Sequence, residues 1–235
     1  MPASQAATRG PICAVIPAHD EAPRIGEVIR RTLEHLPALV VDDGSSDSTA
    51  EVARAGGAEV IEQRPNQGKG AALRVGFRAA LERGLEAVVT LDADGQHDPA
   101  DLPALLAGRS AADTPELVVG QRVFHQMPLV RRASNELGTW LLSAALGRSI
   151  PDNQSGYRVI GRRLMGAMLE SRDDGFAFEV EMIAVCLREG WPMAWVPIRT
   201  IYADERSHIR PLRHLRDFVA VTRRARRIAR GAPLG

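Results

Sequence analysis

Five short apolar runs, each closed by a polar cluster and followed by a helical stripe, constrain this chain more than any other feature. ICAVIP (12–17), LVVDDG (39–44), AEVIEQ (58–63), EAVVTLD (86–92) and ELVVGQR (116–122) have the length and β-branched content of buried strands. Between them, 24–36, 46–55, 69–83 and 99–106 carry apolar residues at helical spacing. Ser45 or Ser46 is the expected N-cap of the second helix. Pro99 sits in the first turn of the fourth, where its missing N–H costs least. Strands alternating with helices imply βα units and a mostly parallel sheet covered on both faces. Such sheets bind ligands beyond the carboxyl ends of their strands. Those ends carry PAHDE, DDGS, DADGQH and GQR, the polar clusters of the whole first half.

After Arg122 the pattern changes. Residues 127–146 read as an amphipathic helix, and DNQSGYRVIG (152–161) as a turn entering a strand. Residues 162–169 and 179–188 read as helices, AWVPIRTIY (194–202) as a strand, and 212–230 as a basic helix with Leu212, Leu215, Val219 and Thr222 on one side. The expected organisation is a tail at 1–10, one α/β domain at 11–211, and a basic C-terminal helix and tail at 212–235.

Composition narrows the class. With 235 residues and 45% apolar content, the chain can bury one large core. No run of about 18 apolar residues occurs, so no membrane-spanning helix is expected. MPASQAATRG has no apolar segment of secretory type. Cys13 and Cys186 sit in apolar contexts with no metal or redox spacing, and read as reduced core residues of a cytoplasmic protein. The net charge of +1 is unevenly spread: 206–230 holds nine arginines and one acid, which is +8, and leaves −7 for the rest. A basic end on an acidic body suits phosphate groups or a lipid surface. Without aromatic interleaving or a nucleic-acid motif, nucleic acid is not an expected partner.

LDADGQHDP (91–99) concentrates four candidate ligands straight after an apolar run. Asp92 and Asp94 flank one residue and can place two carboxylates on an exposed turn. Hard oxygens of this kind suit Mg2+ or Mn2+, ions that keep waters and share coordination with substrate phosphates. Gln96 or His97 could add a ligand, and a helix cap with a turn would use the same residue types. The acids of DDGSSDST (42–49) can bind ribose hydroxyls or a base edge, or cap a helix through Ser46 or Asp47. NQGKG (66–70) opens a helix, so its backbone N–H groups and Lys69 could face an anion. It matches neither the P-loop nor the G-x-G-x-x-G fingerprint.

Taken in order, PAHDE, VVDDGSSDST, NQGKGAALRVG, LDADGQHDP, DNQSGYR and VPIRTIY resemble glycosyltransferase family 2, and within it the polyprenyl-phosphate sugar synthases. The resemblance spans roughly 12–216. It implies a GT-A fold, a Rossmann-like, mostly parallel α/β sheet flanked by helices, binding a UDP- or GDP-linked sugar. By motif match it puts Pro17, Asp20, Glu21 and Asp43 at the nucleoside, with Lys69 and Asp92 also on the nucleotide. Asp92, Asp94 and Gln96 would hold Mg2+ or Mn2+. Arg122 would meet phosphate, Arg132 and Asn135 would approach the acceptor phosphate, and Arg206, Ser207 and Arg210 would lie in a closing loop. There relatives often carry Lys where this chain has SHIR, and the two cations are not equivalent donors. Asp94, Arg122 and Arg132 are thereby the candidate catalytic residues.

The acceptor follows from chemistry. A sugar hydroxyl needs a general base, whereas a phosphate monoester, with a second pKa of about 6, is already largely a dianion at neutral pH. The chain is rich in late arginines and lacks the Q-x-x-R-W motif of processive relatives. Both features favour a polyprenyl phosphate acceptor and a single displacement that inverts the anomeric carbon. Glu179 and Glu181 remain candidates for sugar contacts, for a base, or for favourable charges at a helix start. A lipid acceptor implies visits to the cytoplasmic membrane face through the helix from Met127 and the basic C-terminal helix, and a separate membrane protein as partner. The rival readings are a soluble hydroxyl acceptor on the same fold and a non-catalytic nucleotide-sugar binding subunit.

Overall fold

All five apolar runs become strands, and the helices between them pack back on the sheet. A computed structural model describes residues 11–110, 113–123, 129–175, 177–199, 201 and 211–234, with backbone alone at 129–131, 133, 134 and 211–217. In chain order the elements are β1 (Ile12–Ala18), α1 (Ala22–Leu33), β2 (Ala38–Asp43), α2 (Thr49–Ala55), β3 (Glu59–Gln63), α3 (Lys69–Glu82), β4 (Ala87–Thr90), α4 (Leu102–Arg109), β5 (Leu117–Arg122), α5 (Leu129–Leu146), β6 (Arg158–Gly161), α6 (Arg162–Met168), α7 (Ala177–Glu189), β7 (Met193–Ile198) and α8 (Pro211–Ala229). The seven strands order as β3-β2-β1-β4-β6-β5-β7. All pairings are parallel except those of β6, which runs antiparallel to β4 and β5.

Alternation along β1 feeds two cores. Cys13 and Val15 face one layer with Phe77, Val88, Ile160 and Phe178, where α3, α6, α7 and α8 pack. Ala14, Ile16 and Ala18 face the other, with Ile25, Ile29, Val89, Leu102 and Leu105 from α1 and α4. Val15 pairs with Leu39 and Cys13 with Val88, so same-face neighbours stack across the sheet.

The antiparallel strand matters for function. Parallel β1, β2, β4 and β5 deliver their carboxyl ends to one edge. Running the other way, β6 brings its amino end, the DNQSGYR segment, to that same edge. Thr90 Oγ1 donates to the Gly156 carbonyl at 2.8 Å and ties the two ends together.

Three local expectations need correction. Helix α2 starts at Thr49, not Ser46, because the Ser46 N–H donates to the Asp20 carboxylate at 2.7 Å and holds that residue in the preceding loop. Neither Ser45 nor Ser46 caps the helix; the Thr49 N–H donates to Asp47 at 2.9 Å instead. Pro99–Asp101 forms a 3-10 turn before α4, capped by Asp98, which accepts from the Ala100 N–H at 3.0 Å. The strand expected through Tyr202 ends at Ile198. The expected helix start at Met127 lies outside the described residues.

Candidate active site

Pro17, Ala18, His19, Glu21, Asp43, Asn66, Gly68, Lys69, Ala72, Asp92, Ala93 and Asp94 line an open cleft of about 310 Å³ at the carboxyl edge of the sheet. Four of the sequence clusters therefore meet in one place. Asp20 is the exception within PAHDE. With φ at +54°, it turns its carboxylate to the Ser46 N–H and Oγ, at 2.7 and 3.1 Å, and is not among the lining residues. Those hydrogen bonds lower its pKa. Its role in the structure is to strap the DDGSSD loop beside the cleft.

The anion facing the NQGKG backbone turns out to be the protein's own. The Gln67 and Gly68 N–H groups donate to the Asp43 carboxylate at 2.8 and 2.7 Å, and Gln63 donates to it from the side. The Gly70 N–H donates to the Asp174 carbonyl at 2.9 Å. Gly68 has φ of +95°, and a Cβ there would lie 2.4 Å from that carbonyl, so only glycine serves. With its backbone pinned on both sides, this loop presents the Lys69 side chain to the cleft.

Lys69 Nζ lies 2.5 Å from Asp92 Oδ1 and 2.9 Å from Glu179 Oε1. Burial is the largest influence on the Asp92 pKa and would raise it, but the Lys69 charge and hydrogen bond together with His97 and Arg122 outweigh it, and the pKa falls to about 2. Burial opposes the Lys69 charge in the same way, and Glu179 and Asp92 outweigh it, so its pKa rises. Above the pair runs Gly156, where an added Cβ would lie 2.8 Å from Lys69 Nζ and 2.9 Å from both Asp92 oxygens.

LDADGQHDP divides into two pairs with different jobs. Asp92 and Asp94 face the cleft. His97 and Asp98 are structural. His97 is buried, stacks on Tyr157 at 5.1 Å, and accepts the Asp92 N–H at 3.2 Å through Nδ1. Burial lowers its pKa, and the stacking on Tyr157 holds it in the core behind the turn that carries Asp92 and Asp94. Asp98 pairs with Arg31 and Arg199 while capping the 3-10 turn.

Arg122 is held in a fork on the fully buried Asp152, with Nε to Oδ2 at 2.8 Å and Nη2 to Oδ1 at 3.0 Å. Bidentate geometry fixes the plane of the guanidinium. Arg132 pairs with Glu136 along α5 at 2.7 Å, and Asn135 is half-buried on the same helix. Arg206, Ser207 and Arg210 lie outside the described residues. Glu181 does not join the cleft cluster: it accepts from Ser171 at 2.6 Å and pairs with Arg224 of α8.

Asp152, Gly156 and Arg158 have functions in the site that no local sequence pattern marks. Arg158 is fully buried and donates to the carbonyls of Ser155, Asn153 and Glu179 at 2.7, 3.0 and 2.5 Å, fastening the DNQSG turn to the start of α7. The Lys69–Glu179 contact is likewise unmarked by spacing, but composition carries one signal of it. The chain has 29 arginines and a single lysine, and that lysine is the cation of the cleft.

Residues 13–169 match the glycosyl transferase family 2 description. This chain belongs to glycosyltransferase family 2. An undecaprenyl-phosphate mannosyltransferase from Micrococcus luteus is 32% identical over 80% of this chain and 82% of its own length. A dolichyl-phosphate hexose transferase from Haloferax volcanii is 33% identical over 80% and 81%. In structure, a glucosyl-3-phosphoglycerate synthase from Mycobacterium tuberculosis, crystallised with Mn2+, UDP and phosphoglyceric acid, overlays with a TM-score of 0.71 over 95% of this chain and 80% of that one. At 22% identity that likeness speaks for the fold. The fold of this family 2 glycosyltransferase is thus of the GT-A type.

The donor set of this glycosyltransferase suits a hard cation. Among the described residues no three His, Cys, Asp or Glu side chains gather into a metal cage. Asp92 and Asp94, with Gln96 two residues on, could supply two or three oxygens, leaving the remaining positions to water and a diphosphate. The Asp94 carboxylate accepts the Gln96 N–H at 2.9 Å, which fixes the turn that carries both.

Proposed function

We propose that this glycosyltransferase moves a sugar from a UDP- or GDP-linked donor to a polyprenyl phosphate, with inversion and with Mg2+ or Mn2+. The observation that carries the reading is the state of the acids around the cleft. Glu21 pairs with Arg24, Asp43 holds the NQGKG backbone, Asp92 and Glu179 share Lys69, and Asp94 accepts the Gln96 N–H. Each is engaged in holding structure or charge, and none of these contacts leaves a carboxylate set up to take a proton from a sugar hydroxyl. A nucleophile that brings its own negative charge suits such a cleft.

In this reading Pro17, Glu21 and Asp43 line the nucleoside end, while Asp20 shapes it from behind. Asp92, Asp94 and Gln96 hold the cation. When bound, that cation neutralises the charge that develops on the departing diphosphate. Lys69 adds a positive charge at the same end of the cleft. Arg122, fixed in plane by Asp152, and Arg132 with Asn135 orient the acceptor phosphate, and placing it in line with the anomeric carbon lowers the entropic part of the barrier. The resemblance implies phosphate contacts for Arg206, Ser207 and Arg210, which lie outside the described residues.

Two relatives are named for polyprenyl-type phosphate substrates, which supports the lipid acceptor. So does the outer surface. Leu137 and Trp140, one turn apart on α5, are 48% and 65% exposed, and Arg223, Arg226 and Arg227 of α8 are exposed, as is Arg230 just beyond it. No helix among the described residues is long and apolar enough to cross a membrane. Contact with an anionic lipid surface at the cytoplasmic membrane face, alone or beside a membrane protein partner, would bring the cleft to its acceptor.

The test is labelled transfer from UDP- and GDP-sugars, with Mn2+, to three acceptors: a short polyprenyl phosphate, the same polyprenol without phosphate, and a soluble phosphorylated acid. Product on the polyprenyl phosphate alone, with an inverted anomeric centre, is expected. Product on the free polyprenol, or on the soluble acid alone, would overturn the acceptor assignment.

A further inference from the structure

The single lysine of the chain occupies the carboxylate on which the proposed donor site depends. Lys69 Nζ sits 2.5 Å from Asp92 Oδ1, closer than to Glu179, and its side chain is 37% exposed against 7% for Glu179. Its backbone cannot follow a ligand. The N–H groups on either side, of Gly68 and Gly70, are committed to Asp43 and to the Asp174 carbonyl at 2.7 and 2.9 Å. The side chain, by contrast, is an unbranched stem ending in a point charge that can swing toward the open cleft. An arginine fork would be harder to release, and arginine serves at all 29 other cationic positions.

We propose that Lys69 is a resident counter-ion that competes with the divalent cation for Asp92, and that a nucleoside diphosphate admits the cation by drawing the ammonium away. The inference rests on the donor-site reading above. Charge counting supports it. Asp92, Asp94 and Glu179 carry three negative charges against one positive on Lys69, so the cluster still attracts a divalent ion. At Asp92 itself, however, that ion meets an ammonium already in contact, and two cations on one carboxylate repel. A diphosphate supplies the ammonium with another anion in the same cleft. Glu179, buried and 2.9 Å away, holds the ammonium near its starting point, so that it returns to Asp92 when the product leaves. Metal and nucleotide binding are then coupled, and the coupling is reciprocal.

The experiment is Mn2+ binding to the full chain, read from the electron paramagnetic resonance signal of free Mn2+, with and without saturating UDP or GDP. In the wild type, Mn2+ alone is expected to bind weakly, and the matching diphosphate to tighten it about tenfold or more. Lys69→Gln should bind Mn2+ alone about tenfold or more tightly than the wild type and gain little from the diphosphate. Lys69→Arg, which keeps the charge, should stay as weak as the wild type without nucleotide. Asp92→Asn added to Lys69→Gln should erase the gain. A second readout needs no variant: Lys69 is the one side-chain amine in the chain, so acetic anhydride labelling reports on it directly by mass. Labelling should rise when Mn2+ alone is added at a saturating level. If Lys69→Gln binds Mn2+ no more tightly than the wild type, or Lys69 labelling is unchanged by Mn2+, the competition does not exist, although the donor site stands wherever Mn2+ and diphosphate still bind together. If no Mn2+ binds with either diphosphate, the donor-site reading fails and takes this inference with it.

Discussion

Gly156→Ala tests the packing over the Lys69–Asp92 pair. The new methyl would lie 2.8 Å from Lys69 Nζ and 2.9 Å from both Asp92 oxygens, where ordinary contact begins at 3.4 Å, so these atoms must withdraw by roughly half an ångström. The backbone cannot give way easily, because the Gly156 carbonyl is tied to Thr90. Lys69 can swing out; the short Asp92 side chain can only rotate. The strain is therefore relieved in part, which puts the cost at the low end of overpacking, about 1 kcal/mol. For a chain of this size that is a fall in Tm of about 2–4 °C. The effect on binding should be larger. The methyl covers both oxygens of the carboxylate, and metal-dependent nucleotide affinity should drop about tenfold or more, as expected for loss of a charged contact. Differential scanning calorimetry and isothermal titration with UDP or GDP and Mn2+ read the two effects separately. Gly166→Ala is the control. That glycine lies in α6 with nothing within 4 Å of an added Cβ, so the change should stabilise by about 0.5–1 kcal/mol and leave binding alone. Wild-type melting and wild-type affinity in Gly156→Ala would refute the close approach.

Arg158→Met would leave the carbonyls of Ser155, Asn153 and Glu179 without their buried donor, and chemical denaturation should show a loss of about 3 kcal/mol or more, at about 1 kcal/mol or more for each unsatisfied group. The Asp92 pKa is depressed to about 2 from its ordinary 3.8, so its contribution to stability is complete above that ordinary value and is lost as pH falls toward 2. The stability difference between wild type and Asp92→Asn should accordingly be constant from pH 5 to 7 and shrink below pH 4 in denaturant titrations. Burial pushes the thiols of Cys13 and Cys186 up to about 11 and about 12, so neither should react with a thiol reagent at pH 8 until the chain is unfolded, when both should. Trp140→Ala and the pair Arg226→Glu and Arg227→Glu should each reduce sedimentation with vesicles containing anionic lipid, the charge variant losing most at low salt.

Much of this was legible because the relevant signals are local. Apolar runs of four to seven residues with helical stripes between them gave the parallel strands, and the polar clusters at their ends gave the edge where Pro17, Glu21, Asp43, Lys69, Asp92 and Asp94 meet. Local patterning also produced the errors. Ser46 looks like a cap in sequence, but Asp20, 26 residues earlier, takes its N–H. His97 stands beside the acids in LDADGQHDP, yet Tyr157, 60 positions on, holds it inside the core. The contacts that complete the site have no local signature at all. Arg74 donates to the Asp173 carbonyl across 99 positions at 2.7 Å, Lys69 reaches Glu179, and β6 turns antiparallel to bring Gly156 over Asp92. Spacing along the chain cannot register such meetings. The lone lysine among 29 arginines could have been counted, and it marked the cation at the centre of the cleft.

Calorimetric binding of UDP and GDP, with and without Mn2+, to the wild type and to Asp94→Ala tests the central claim most directly. The account predicts that one of the two diphosphates binds tightly, that the binding requires Mn2+, and that Asp94→Ala abolishes it while keeping the wild-type fold by circular dichroism. Binding of neither diphosphate in the presence of Mn2+, or metal-independent binding untouched by Asp94→Ala, would contradict it and leave LDADGQHDP a turn with two exposed acids.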